Sequence, residues 1–204
     1  MKPIVIIAAW SSGSTAVAGY LDACGGYSCP PHFRTNDTRT PNAYEPLAYQ
    51  AALGKLFDET LLKEVGKQQD FIVWFDAWWA EQCDEAARQH RTHIVLKQPL
   101  QTLLLPFLKQ RIDPIFVFVT RPLKDIERTR RRRNWPAVYG AAGADALYKA
   151  AFNFLVANGC PYLSIPYDVF RSDPELRRKL IDFVELEPTD EMLSLAEDFL
   201  RPAG

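Results

Sequence analysis

The sequence lacks several of the patterns that announce a common function. Its four cysteines, Cys24, Cys29, Cys83 and Cys160, are scattered, without the paired spacing of a zinc site or a redox dithiol. They are read as reduced thiols of a cytoplasmic protein. No apolar run is long enough to span a bilayer. Met1-Lys2-Pro3 and the apolar residues after it run straight into a polar turn with no cleavage pattern, which argues against a secretory leader. The formal net charge is −1, so nucleic acid and acidic membrane are not expected partners of the chain as a whole. Repeats, low-complexity tracts and linkers are missing too. At 204 residues and 48% hydrophobic composition, the chain is expected to form one domain over 1–204.

What is present begins with Ile4 to Ala9, a continuous apolar run rich in β-branched residues, as expected of a buried parallel strand. Ser11-Ser12-Gly13-Ser14-Thr15 is a small polar turn. Ala16 to Ala23 has helix-forming composition, and Gly25-Gly26 supplies a stop. Strand, turn and helix in that order set unpaired backbone N–H groups at a positive helix end, a ready site for phosphate. A hydroxyl in such a turn can equally serve only to cap the helix. No lysine stands there, so the turn is not the Gly-x-x-x-x-Gly-Lys-Ser/Thr loop of an NTPase. The three spaced glycines of a dinucleotide site are missing as well.

The rest alternates. Residues 26–46 are expected to be an irregular loop carrying His32, Arg34, Arg39, Tyr44 and Glu45, titratable groups within reach of the turn. A helix is predicted over 46–69, a strand over 71–75 and a helix over 79–90. Trp74, Trp78 and Trp79 suit either core or a substrate wall, and Trp135 is left equally open. Lys97 stands immediately after the strand predicted over 93–96, at the carboxyl end where open α/β sheets bind ligands. Residues 114–120 form the clearest strand, with Arg121 after it and a helix over 123–133. At most one or two of that helix's five arginines can face one ligand. Arg121 and Thr129 can reach a common point, and arginine suits bidentate phosphate binding. A helix over 146–158, a strand over 162–166, a helix over 175–183 and a helix after the cap Thr189 complete the pattern. It predicts an α/β fold: one three-layer domain with a mostly parallel central sheet and a P-loop-like phosphate-binding turn after the first strand.

Taken together in order, these motifs resemble the PAPS-dependent sulfotransferases, PAPS being 3′-phosphoadenosine 5′-phosphosulfate. The strand with Ser12-Gly13-Ser14-Thr15 resembles the family's 5′-phosphosulfate loop. Thr40-Pro41-Asn42-Ala43-Tyr44-Glu45 resembles the Asn-Pro-x-Gly-Tyr-x-Glu segment of bacterial members. Val95-Leu96-Lys97-Gln98-Pro99 resembles the strand-Lys-x-x-proline segment. The strand ending at Thr120-Arg121-Pro122, with Thr129 eight residues past the arginine, resembles the 3′-phosphate motif. Tyr162 to Leu186 resembles the family's terminal strand and Asp-Pro helix segment.

The resemblance implies transfer of a sulfuryl group from PAPS to a hydroxyl or amine of a small-molecule or glycan acceptor, without a metal, leaving adenosine 3′,5′-bisphosphate. It assigns Ser11, Ser12, Gly13, Ser14, Thr15 and Ala16 to the 5′-phosphate turn, and Arg121 and Thr129 to the 3′-phosphate. Lys97 would neutralise charge on the bridging oxygen and sulfuryl group. The family's usual Lys or Arg two residues before the loop glycine is Ser11 here, so Lys97, Arg34 or Arg39 would supply that charge. The eukaryotic members' histidine base, two residues after the lysine, is Pro99 here. Glu45 is the first candidate for the base and His32 the second. Two other readings stay open: a non-catalytic protein of this fold that binds a nucleotide or partner, and a small-molecule kinase.

Overall fold

The computed structural model describes residues 1–37 and 40–201. The chain starts with β1 (Lys2–Ile7), α1 (Ser14–Ala23), β2 (His32–Arg34), β3 (Asn42–Pro46), α2 (Leu47–Leu56), β4 (Phe57–Asp58), β5 (Lys63–Glu64) and α3 (Gln68–Arg88). There follow β6 (His93–Lys97), a 3-10 turn over Pro99–Leu104, α4 (Leu105–Ile112), β7 (Ile115–Thr120) and α5 (Leu123–Arg132). A second 3-10 turn (Ala137–Tyr139), α6 (Ala141–Ala157), β8 (Tyr162–Pro166), α7 (Tyr167–Ser172), α8 (Pro174–Val184) and α9 (Asp190–Leu200) complete it.

β1, β6, β7 and β8 form one sheet in the order β6-β1-β7-β8, with every pairing parallel. Successive side chains point to opposite faces. Val5 and Ile7, Ile94 and Leu96, and Phe116 and Phe118 enter one cluster with α2, α3, α4 and α6. Ile4 and Ile6, Val95, and Val117 and Val119 enter another with α1, α7, α8 and α9. Helices therefore cover both faces, giving the expected three-layer α/β architecture with its parallel central sheet. From β1 the chain crosses to β6, then returns past β1 to β7. The reversal leaves a crevice between the carboxyl ends of β1 and β7, the place where such sheets bind ligands.

Local signals fix several boundaries. Gly25 takes φ +102°, and the N–H groups of Gly25 and Gly26 bond back to Asp22 and Leu21, ending α1 in a Schellman motif. Thr189 caps α9 by accepting from Met192 N, as expected.

Four expectations are corrected. Residues 71–75 lie within α3, because Phe71, Trp74, Phe75 and Trp78 recur at helical spacing and together bury one face. The helix expected over 46–69 ends at Leu56. Beyond it, the Asp58 carboxylate accepts from Thr60 N and Leu61 N and turns the chain into the small β4–β5 hairpin. The 26–46 loop contains the antiparallel β2–β3 hairpin and a parallel bridge from Tyr27 to Ile94. Residues 137–144 form the second 3-10 turn and the start of α6, five residues before the expected Ala146. The four cysteines are free thiols. No helix among the described residues is long and apolar enough to cross a membrane.

Candidate functional site

Ser11 (φ +61°) and Gly13 (φ +92°) hold the turn after β1 in left-handed backbone. A Cβ on Gly13 would stand 2.1 Å from the Tyr167 ring, so conformation and space both require glycine. Gly13 is the N-cap of α1 and no side chain caps the helix, so the turn's hydroxyls do not serve that purpose. The N–H groups of Ser12 and Ala16 are committed to Ala9 and Gly13 carbonyls at 3.3 and 3.0 Å. Those of Gly13, Ser14 and Thr15 stand at the head of the helix, where no intrahelical acceptor exists. This sets Ser12 and Ala16, whose N–H groups are bonded within the turn, apart from those three.

Lys97 ends β6 with its side chain on the α1 side of the sheet. Its Nζ donates to Glu45 Oε1 at 2.5 Å, Ala43 O at 3.1 Å and Thr15 Oγ1 at 3.4 Å. Both charged residues are buried, Lys97 at 3% exposure and Glu45 at 7%. Glu45 arrives from β3, so the hairpin hidden in the expected loop is what delivers the carboxylate. The ammonium's three donors match three acceptors.

Arg121 follows β7 directly across the crevice. Its Nη1 donates to Ser11 O at 3.1 Å and Thr129 Oγ1 at 3.2 Å, and its backbone N–H donates to Tyr148 Oη at 3.1 Å. Thr129 in turn donates to Asp125 O within α5. The Arg121 Nε is buried without a hydrogen-bond partner among the described residues. A cavity of about 590 Å³ opens beside Arg121, walled by Tyr148 and Tyr167. Burial pushes the Tyr148 phenol up to about 12, against the pull of the Arg121 N–H and of Ser12.

The remaining sequence candidates lie elsewhere or are otherwise engaged. His32 Nε2 meets Ser28 Oγ and O at 3.0 and 2.9 Å, and Nδ1 meets Asn42 Nδ2 at 3.2 Å. Its ring is held within the hairpin region, with no bond to Lys97. Arg34 is exposed on β2, and Arg39 lies outside the described residues. Pro99 is buried and opens the first 3-10 turn. Trp78 stacks on Tyr49 at 5.3 Å within the core, and Trp74 and Trp79 pack against that cluster. Trp135 stands apart. It meets Tyr139 edge-on at 5.8 Å, and Tyr139 lies 4.6 Å from Trp10 in the turn after β1.

Two further groups beside these clusters carry no motif that marks them in the sequence. Tyr167 packs on Gly13, and the Arg121 guanidinium lies 5.1 Å from its ring centre. Its signal was its position directly after β8, since Ser11–Thr15, Lys97, Arg121 and Tyr167 all follow or end parallel strands. Arg133, one helical turn beyond Thr129, bonds Asp37 at 2.5 Å and Thr40 Oγ1 at 3.0 Å and lies over Trp135 at 4.5 Å. Burial lowers its pKa against the pull of Asp37, with the charges of Arg132 and Arg121 adding to the fall. Other arginines of α5 are spent on their own helix: Arg128 on Asp125, Arg130 and Arg131 on Glu127.

No protein-family model and no curated protein matches the sequence. Solved structures do. The chain is similar to the sulfotransferase STF1 of Mycobacterium tuberculosis H37Rv, with 14% identity and a TM-score of 0.57, over 99% of this chain and 72% of that one. It is also similar to the sulfotransferase STF9 of Mycobacterium avium, with 15% identity and a TM-score of 0.53, over 98% of this chain and 67% of that one. At these identities the likeness shows the fold: the chain has a sulfotransferase fold.

Proposed function

We propose that the protein is a sulfotransferase that uses PAPS to sulfate a hydroxyl or amine of a small-molecule or glycan acceptor. One observation carries the reading: the strand ends bring the Lys97–Glu45–Thr15 cluster and the Arg121–Thr129 pair to the two sides of one uncapped helix terminus. The site fits a doubly phosphorylated nucleotide. It offers N–H groups at the head of α1 that have no intrahelical acceptor and a buried guanidinium Nε with no hydrogen-bond partner among the described residues.

Gly13, Ser14 and Thr15 would hold the 5′-phosphate with their backbone N–H groups. Arg121 and Thr129 would hold the 3′-phosphate, and Arg133 stands one turn away to add charge. When bound, the donor supplies the sulfuryl group. Lys97 would neutralise charge at the bridging oxygen, a task of positioning and electrostatics. Glu45 would take the acceptor's proton. One hydrogen bond joins these two roles, because a protonated Glu45 loses much of its hold on the Lys97 ammonium.

The non-catalytic reading is favoured by one observation: all three Lys97 donors are already satisfied inside the protein. Incubation with PAPS and a panel of alcohols, phenols, saccharides and amines separates the two. Release of adenosine 3′,5′-bisphosphate that depends on an acceptor supports the enzyme. Binding without release under every acceptor supports the binding protein, and magnesium-dependent ATP turnover in place of either returns the kinase.

A further inference from the structure

Apart from the strand-end site, α2 and the first turns of α3 leave an open groove of about 570 Å³, within the range of small-molecule sites. Its lining includes no residue of the Lys97 or Arg121 clusters. Ala51 and Ala52 offer methyl groups only, and Phe71 and Trp74 supply aromatic surface. Trp74 is braced from within: it stacks nearly parallel on Trp78 at 5.4 Å and on Tyr49 at 6.5 Å, and Tyr49 is fully buried. An aromatic wall held this way is preorganised, which lowers the entropic cost of binding.

The groove's charge is concentrated at one end. Lys55 lies in the last turn of α2. The N–H groups of Val65 and Gly66 both donate to Leu56 O, at 2.8 and 3.0 Å, tying the entry to α3 against that same end. Lys67, the next residue, therefore joins Lys55 there, and both line the groove. Neither lysine has an ion-pair partner among the described residues. Asp70 also lines the groove, so two ammonium groups face one carboxylate and the excess is a single positive charge. Val73 and Leu47 are further exposed apolar side chains of the same two helices.

We propose that this groove binds a small amphiphilic monoanion, its flat apolar body on the alanine floor against Trp74 and its sulfonate, sulfate or carboxylate at Lys55 and Lys67. The site stands independently of the sulfuryl-transfer reading.

Calorimetric titration of the full chain with naphthalene-2-sulfonate tests it, with neutral 2-naphthol beside it. The sulfonate binds and the naphthol binds at least about tenfold more weakly, since the charged contacts are lost. The double variant Lys55→Glu/Lys67→Glu weakens the sulfonate by about tenfold or more, and Ala51→Trp, which fills the groove from an exposed helix position, abolishes it. Unfolding temperatures of both variants check that the fold survives. Undiminished sulfonate binding in either folded variant overturns the proposal, as does equal affinity for the naphthol or no binding in the millimolar range. A parallel loss of adenosine 3′,5′-bisphosphate binding in these variants would move the probe to the strand-end site and overturn it too.

Discussion

Lys97 Nζ and Glu45 Oε1 stand 2.5 Å apart, and both residues are more than nine-tenths buried. A buried ion pair adds little against an apolar replacement of similar shape, but removing one partner leaves an uncompensated charge. Glu45→Ala is therefore expected to destabilise the fold by about 3–5 kcal/mol, and Lys97→Met/Glu45→Leu by less than that. Denaturant unfolding of the variants checks this. A double variant no more stable than Glu45→Ala would contradict the pairing.

Glu45→Gln keeps the shape and a hydrogen-bond acceptor while removing the proposed base. Acceptor-dependent turnover is expected to fall by roughly 10²–10⁴, the usual contribution of a positioned base. Binding of adenosine 3′,5′-bisphosphate should stay within about twofold, because Glu45 is assigned no donor contact. Full turnover in this variant would move the base elsewhere.

Arg121→Ala is expected to weaken adenosine 3′,5′-bisphosphate by roughly 10- to 100-fold, the worth of charge-assisted hydrogen bonds. Adenosine 5′-monophosphate, which lacks the 3′-phosphate, should be little affected. Equal losses for both nucleotides would remove Arg121 from the 3′-phosphate role.

Gly13→Ala should be severe, because the new methyl meets both a left-handed backbone and the Tyr167 ring at 2.1 Å. Left-handed backbone alone costs a side-chain residue about 1–2 kcal/mol. Combining Gly13→Ala with Tyr167→Ala removes the collision and leaves the backbone cost, so the pair should be less destabilised than the sum of the single variants. Simple additivity in thermal unfolding would show that the ring is not the obstacle.

Much of this was legible in the sequence. The strand at the start, the strands ending at Lys97 and Thr120, and the cap at Thr189 follow from local patterns that the structure keeps. The strand misassigned to 71–75 shows the limit of such patterns. Phe71-Ile72-Val73-Trp74-Phe75 has strand composition in a five-residue window, and its helical face appears only when Trp78 is included. The β2–β3 hairpin left no alternation to read, because its strands are short and one ends in Pro46. Its register depends on contacts that cross the chain. No local pattern marks Tyr167, because its partners, Gly13 and Arg121, are far away in sequence and only strand order brings them together.

Stability should also fall at high pH in a way that Cys24 explains in part. Burial pushes its thiol up to about 12 from an ordinary 9.0, with the Tyr20 hydrogen bond opposing and the Glu197 charge adding. Below pH 9 the thiol is protonated in both folded and unfolded chains, and its contribution is fully present. As pH rises toward 12 the unfolded chain gives up the proton first, so stability drains by up to about 1.4 kcal/mol per pH unit. Cys24→Ala should flatten the decline between those limits in urea unfolding followed from pH 8 to 11. An unchanged slope would contradict the assignment.

The strand ends are proposed to form a site for a 3′,5′-bisphosphorylated nucleotide. Calorimetric titration of the wild-type chain with adenosine 3′,5′-bisphosphate, beside adenosine 5′-monophosphate and magnesium ATP, tests it without knowledge of the acceptor. Selective binding of the bisphosphate, with a rise in unfolding temperature that grows with its concentration, is the predicted result. Equal binding of all three nucleotides, or none, would contradict it and leave a sulfotransferase fold that has no donor site.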